Sequence, residues 1–208
     1  MAWKKYLKRS LLGLGALVVL AAAFAAHEWY AAKPFFVNNF YNRAFLKYVL
    51  DRPEALTVMG MLDQVGITGH NARWDDDSLA AGERQLDYLD EVFASMALYA
   101  DDELDESELV TKKVVMELLG DPVKLRKFRY HGYPVNQQTG LQSGVPRFLD
   151  TFHRVKNERD AGYYLRRLAG IPAKFEQNME GLQVREQMGI VPPTFVIDKV
   201  IEEMTAFV

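Results

Sequence analysis

The side chains best equipped for metal or proton chemistry are four histidines, His27, His70, His131 and His153. His27-Glu28-Trp29-Tyr30-Ala31 begins like the helical zinc-peptidase signature. That signature needs a second histidine four residues on, so that both ligands share a helix face, and Ala31 stands there instead. His131 and His153 lie 22 residues apart and would need a carboxylate such as Asp150 or Glu158 to complete a zinc site. Rings that bond backbone carbonyls are the simpler expectation. Ser143, in Gln142-Ser143-Gly144, lacks the Gly-x-Ser-x-Gly elbow of a serine hydrolase, and neither a phosphate loop nor a dinucleotide fingerprint is present. The chemistry left is hydrogen bonding: Tyr130, His131, Tyr133, Asn136, Gln137, Gln142 and Arg147 form a set able to hold an extended peptide or a sugar. The same side chains would equally serve to tie down an irregular loop whose backbone groups are buried. No catalytic residue and no metal ligand is assigned within the chain.

That set lies in Arg129–Leu149, where Gly132, Gly140 and Gly144 with Pro134 and Pro146 interrupt every helical register. Tyr130, Tyr133, Val135, Leu141, Val145, Phe148 and Leu149 are too apolar for a free linker. The segment is therefore expected to be one long ordered loop, not a helix, held between helical blocks.

The blocks follow from periodicity. A helix is expected over residues 34–50, with Asn38 or Asn39 as its cap, and a short turn of helix from Pro53 to Met59. Glycines and the polar run His70–Ser78 then make a loop pinned to the body by Trp74. Leu86, Leu89, Phe93 and Met96 mark an amphipathic helix from Leu79 to Tyr99. Six of the eight residues Asp101–Glu108 are acidic, but Leu104 and the lack of a glycine spoil a calcium loop. Asp105-x-x-Glu108 reads instead as a capping box for a helix ending at Gly120-Asp121-Pro122. Asn157-x-x-Asp160 suggests a second box, with Gly170-Ile171-Pro172 as a break, Gly189 as a C-terminal cap and Pro193 opening the last helix. That helix still shows an apolar stripe at Val208, which reads as a pattern awaiting continuation. With no strand-period segment, the fold is expected to be all-α.

Before these helices comes a leader. Lys4, Lys5, Lys8 and Arg9 precede Leu11–Ala26, sixteen residues without a charge, and Ala23-Phe24-Ala25 offers a signal-peptidase site. Trp3, Ser10, Trp29 and Tyr30 extend the stretch with interfacial residues, so an uncleaved anchor competes with a cleaved signal. Residues 1–33 are read as the signal or anchor segment and 34–208 as a helical domain on the extracytoplasmic side of the cell envelope. The whole chain has a formal charge of −3, and without its basic leader residues 11–208 carry −7. That balance argues against nucleic acid as a partner. The absence of cysteine excludes disulfides, cysteine zinc sites, a cysteine nucleophile and lipoprotein acylation.

Three segments resemble the bacterial domain-of-unknown-function 885 family. They are Phe128–Gln137 with Gly140-Leu141-Gln142-Ser143 and Pro146-Arg147-Phe148-Leu149, then Asp160–Leu168 with Ile171-Pro172, and Gly189–Val196. Pro53-Glu54-Ala55 and Arg73-Trp74-Asp75-Asp76 are similar more weakly. The resemblance implies a longer, mostly helical, often exported protein similar to zinc-dependent peptidases, whose ligands lie in a C-terminal half bearing His-Glu-x-x-x-Gly-His. This sequence lacks that motif. On this reading the chain is the non-catalytic N-terminal part of such a protein. It has no cofactor of its own, zinc belongs to the other half, and its partners are the membrane through residues 11–26 and a catalytic half or second polypeptide. Two other readings are a free-standing periplasmic helical module binding a ligand or peptide, and an acidic adaptor using Asp101–Glu108.

Overall fold

The computed structural model describes residues 2–207, and among them every regular element is helical. The side chains of Lys4, Lys5, Lys8 and Arg9, and the chain end at Val208, lie outside the described residues. The elements are α1 (Ala2–Tyr30), α2 (Val37–Leu50), α3 (Pro53–Met59), α4 (Leu79–Ala97), α5 (Glu106–Lys124), α6 (Leu141–Thr151), α7 (Glu158–Ala169), α8 (Ile171–Gln187) and α9 (Thr194–Phe207). They form two compact units, one of residues 2–46 and 91–120, the other of residues 47–90 and 121–207.

The first unit closes on an apolar centre of Val37, Phe40, Val92, Met96 and Tyr99. Residues of α2 and α4 meet there, with the rings of Phe40 and Tyr99 6.0 Å apart. Asn38 and Asn39 do not cap α2. Both lie inside it, where Asn38 donates to Glu108 and Asn39 to Glu28. Glu28, at the C-terminal end of α1, instead secures the approach to α2: its carboxylate accepts the amides of Phe35 and Phe36, which precede the helix, at 2.8 and 3.4 Å. The capping box ahead of α5 forms in both directions: Glu108 N donates to Asp105 Oδ1 at 2.8 Å, and Asp105 N to Glu108 Oε2 at 3.1 Å.

In the second unit the buried residues are Val49, Leu56, Val145, Phe148, Leu149, Val196 and Val200, together with polar groups described below. Two helices are longer than their prolines suggest. α5 continues through Gly120-Asp121-Pro122 to Lys124, and α6 occupies the last nine residues of the expected loop despite Gly144 and Pro146. In α6 the buried side chains Val145, Phe148 and Leu149 share one face, and burying that face offsets the one backbone bond that Pro146 removes. The ordered loop is thus Arg129–Gly140, shorter than the sequence suggests. Asn157 caps α7, its side chain accepting from Asp160 N at 3.0 Å, though the return bond to Asp160 comes from Lys156 N. After α8, Gly189 takes φ 71°, Ile190 N bonds Arg185 O and Gly189 N bonds Glu186 O. This is the paired closure that a left-handed glycine permits.

Candidate functional site

The loop Arg129–Gly140 forms one wall of a cleft of about 170 Å³ in the second unit. Tyr133 and Pro134 come from the loop, and Met179, Leu182, Gln183 and Glu186 from a single face of α8 at spacings of three, one and three. The glycine closure at 189 then turns the chain so that Ile190, Val191 and Pro192 complete the lining. Arg185 fastens the loop to the helix. Its Nε donates to Gly132 O at 3.0 Å, its Nη1 to Gly181 O at 2.8 Å, and its guanidinium lies 5.4 Å from the Tyr130 ring. Burial lowers the pKa of Arg185. The cleft is apolar, with Arg185 and Glu186 the charged residues among its lining, and is shaped to seat an apolar side chain.

The sequence set divides. Tyr133 lines the cleft and Tyr130 stacks behind it. Asn136 turns inward on its own loop: Nδ2 donates to Tyr133 O, and Oδ1 accepts the amides of Gln138 and Thr139. Gln142 donates to Asn136 O at 2.7 Å and to Glu203 Oε2 at 3.1 Å. These two amides therefore hold the loop. Gly140 explains the fit, because a Cβ there would sit 2.2 Å from Gln142 Oε1 and 2.5 Å from Asn136 O. His131, Gln137 and Arg147 are exposed, and His131 stands edge-on to Phe128 at 5.1 Å.

A second constellation was not legible as a site. Arg167 of α7 is wholly buried. Its Nε and Nη2 donate to Arg73 O at 3.0 and 2.7 Å, Nη2 also to Thr57 Oγ1 and His70 O, and Nη1 meets His153 Nδ1 at 2.9 Å. The guanidinium lies 5.3 Å from the Trp74 ring and 4.9 Å from that of Phe148. Trp74 Nε1 closes the circuit by donating to Arg167 O at 2.7 Å, which is the pinning expected of this tryptophan. Next to it, Lys174 reaches Glu54 Oε1 at 2.7 Å and Asp77 Oδ2 at 2.6 Å. Glu54 and Asp75 exchange backbone-to-carboxylate bonds, Glu54 N to Asp75 at 2.9 Å and Asp75 N to Glu54 at 3.0 Å. The segments around residues 53–55, 73–76 and 160–168 thus converge on one buried cluster. The signal available in sequence was the spacing of Asp160, Tyr163 or Tyr164 and Arg167, which puts an arginine on the inner face of α7.

Electrostatics follow from burial. It pulls Arg167 down to about 10, against the opposing fields of Glu54 and Asp75. Burial and the Arg167 charge hold His153 below its usual value, and burial does the same to His70. Burial also raises Asp75, whereas for Lys174 the burial penalty is outweighed by Asp77 and Glu54, which raise it.

His153 accepts from Arg167, His70 Nε2 has only Asp63 at 3.4 Å, and the His27 ring stacks on Phe35 at 4.1 Å. No group of three or more histidine or acid side chains converges on a common point among the described residues. The proposed pairing of His131 with His153 is not assembled: one ring rests on Phe128, the other faces Arg167 and Tyr164.

No curated protein and no solved structure matches the chain. A family profile does match, over residues 53–208, which takes in both the cleft and the Arg167 cluster. The chain belongs to the family described as bacterial protein of unknown function (DUF885).

Proposed function

We propose that this chain is the membrane-anchored or exported helical part of a zinc-peptidase-like protein, without catalysis of its own, and that the Tyr133 cleft is one wall of its substrate site. The observation that carries the reading is the cleft itself: an apolar seat bordered by Arg185 and Glu186, between the Arg129–Gly140 loop and one face of α8. An apolar cavity of about 150 Å³ admits a benzene ring, so the cleft suits one phenylalanine-sized side chain of a peptide. α1 supports the envelope location, since within Ser10–Tyr30 an 18-residue window has a mean hydropathy of 2.0 and no buried residue. The zinc and its chemistry would come from a polypeptide bearing His-Glu-x-x-x-Gly-His.

The test is equilibrium dialysis of the full chain in detergent against zinc, with peptide hydrolysis followed in parallel. The expected result is no stoichiometric zinc, no hydrolysis, and binding of a phenylalanine-containing fluorescent peptide. Tight one-to-one zinc with hydrolysis would overturn the non-catalytic reading, and absence of peptide binding would overturn the assignment of the cleft.

A further inference from the structure

Beyond Tyr30 the chain does not leave α1 but folds back along it. The Phe35 ring stacks on Phe24 at 6.0 Å and on His27 at 4.1 Å, and the Phe36 ring stands edge-on to Phe24 at 6.3 Å. Phe35 and Phe36 therefore lie level with residues one to two turns before the end of the helix, beside the apolar stretch. Both face outward, 67% and 59% exposed, beside Phe24, itself 46% exposed. An exposed cluster of three phenylalanines is costly in water and marks a surface that something apolar covers.

The fold-back is built rigidly. Glu28 accepts from Phe35 N, Phe36 N and Asn39 Nδ2, and Tyr99 OH donates to Pro34 O at 2.9 Å. Arg43 Nη1 donates to the carbonyls of Glu28 and Trp29 at 3.3 and 2.7 Å, closing the end of α1. The one acid at this level thus has its oxygens occupied within the protein, as a carboxylate near an acyl boundary requires.

We propose that Phe35 and Phe36 form a wedge that dips into the outer leaflet alongside an uncleaved α1, seating the first unit on the lipid surface. This rests on the envelope reading above and deepens it. What covers the wedge follows from continuity and length. Ser10–Tyr30 is 21 residues, or about 31 Å of helix at 1.5 Å per residue, matching a hydrocarbon core of about 30 Å. With that span in place, Trp29 and Tyr30 reach the headgroup level, and Phe35 and Phe36, level with Phe24 and His27, fall on its acyl side. Cleavage after Ala25 would discard Phe24, the ring on which both phenylalanines pack, and strip the wedge of its support.

The chain has no cysteine, so single labels are clean. Full-length Val18→Cys, Phe36→Cys and Asp102→Cys proteins are labelled with an environment-sensitive fluorophore and reconstituted into phosphatidylethanolamine–phosphatidylglycerol vesicles. Each is then quenched by acyl-chain nitroxide or by aqueous iodide. The expected result is that Val18 and Phe36 respond at least about threefold more to nitroxide, and Asp102 to iodide. If Val18 is lipid-bound while Phe36 behaves like Asp102, the wedge is overturned and the anchor stands. If Val18 is also aqueous, the anchored reading itself fails. Phe35→Cys gives an independent measurement should the Phe36 variant not fold. Intact mass of the protein from membranes of the expressing bacterium should retain α1, and a chain beginning at Ala26 would refute the proposal.

Discussion

Replacing Arg167 with lysine keeps a positive charge of similar length, so any loss reports on geometry rather than on charge. The guanidinium serves Arg73 O, His70 O, Thr57 Oγ1 and His153 Nδ1 from a single planar fork, with no exposure to solvent. An ammonium concentrates its three donors at one point and cannot span that spread. If two of the four acceptors lose their partner, each unpaired buried group costs about 1–3 kcal/mol. Loss of the guanidinium's contacts with the Trp74 and Phe148 rings adds about 0.5–2 kcal/mol. Partial relaxation offsets some of this, leaving a net destabilisation of about 3–5 kcal/mol, comparable to breaking a buried ion pair. Against a domain stability of about 5–15 kcal/mol that is severe. The assay is urea unfolding of the full chain in mild detergent, followed by Trp74 emission in a Trp3→Phe, Trp29→Phe background. With a slope of about 1–3 kcal/mol/M, the midpoint should fall by about 2 M without a change in slope. Arg166→Lys, at the exposed neighbouring position, should stay within about 0.5 kcal/mol of the parent. If Arg167→Lys costs less than about 1 kcal/mol, the four acceptors are satisfied some other way and the keystone reading is wrong.

Other measurements follow from the same geometry. His70 and His153 both have lowered folded-state values, so as pH falls through about 6.5 the unfolded chain takes up protons that the folded one refuses. Stability should therefore be fully present above that pH and decline below it, by up to about 2.7 kcal/mol per pH unit while both titrate, and His153→Phe should flatten the slope in an unfolding series from pH 8 to 5. Gly140→Ala should cost about 1–3 kcal/mol by forcing Gln142 and Asn136 apart, visible as faster proteolysis between residues 129 and 140. Gly189→Ala should cost about 1 kcal/mol in thermal unfolding, because φ 71° is strained for any residue with a Cβ. Leu182→Glu should weaken binding of a phenylalanine-containing peptide about tenfold in fluorescence polarisation while leaving the unfolding midpoint close to the parent.

Punctuation was the part of this fold most open to sequence reasoning. The box at Asp105 and Glu108, the Asn157 cap and the left-handed Gly189 are local devices whose partners lie within a few residues, so type and spacing suffice to find them. Pro146 and Gly144 misled because propensity is a local quantity and α6 is decided by burial of Val145, Phe148 and Leu149. Asn38 and Asn39 misled for the converse reason. From positions inside α2 their side chains turn to Glu108 and Glu28, acids of other helices.

The candidate site shows the same division at larger range. Tyr133 could be picked out because an aromatic residue in a glycine-rich loop has few ways to be idle, and it does line the cleft. The amides beside it suit either a ligand or the loop itself, and the structure spends those of Asn136 within its own loop and that of Gln142 on Asn136 O and Glu203, with Gly140 allowing the close approach. Arg167 was harder still. Apart from His153, its acceptors are carbonyls and a hydroxyl from residues around 57, 70 and 73, about a hundred positions away, and backbone carbonyls leave no trace in residue type. A charged residue on an inner helix face is the available clue, since a cation survives there only if the rest of the fold supplies its partners. This clue separates structural from recognition groups in this chain. The cations with saturated, buried surroundings, Arg167 and Lys174, hold segments of the second unit together, whereas the cleft beside Tyr133 is open and apolar and has surface to offer. Ligand affinity should therefore respond to Leu182 and Tyr133, and stability to Arg167.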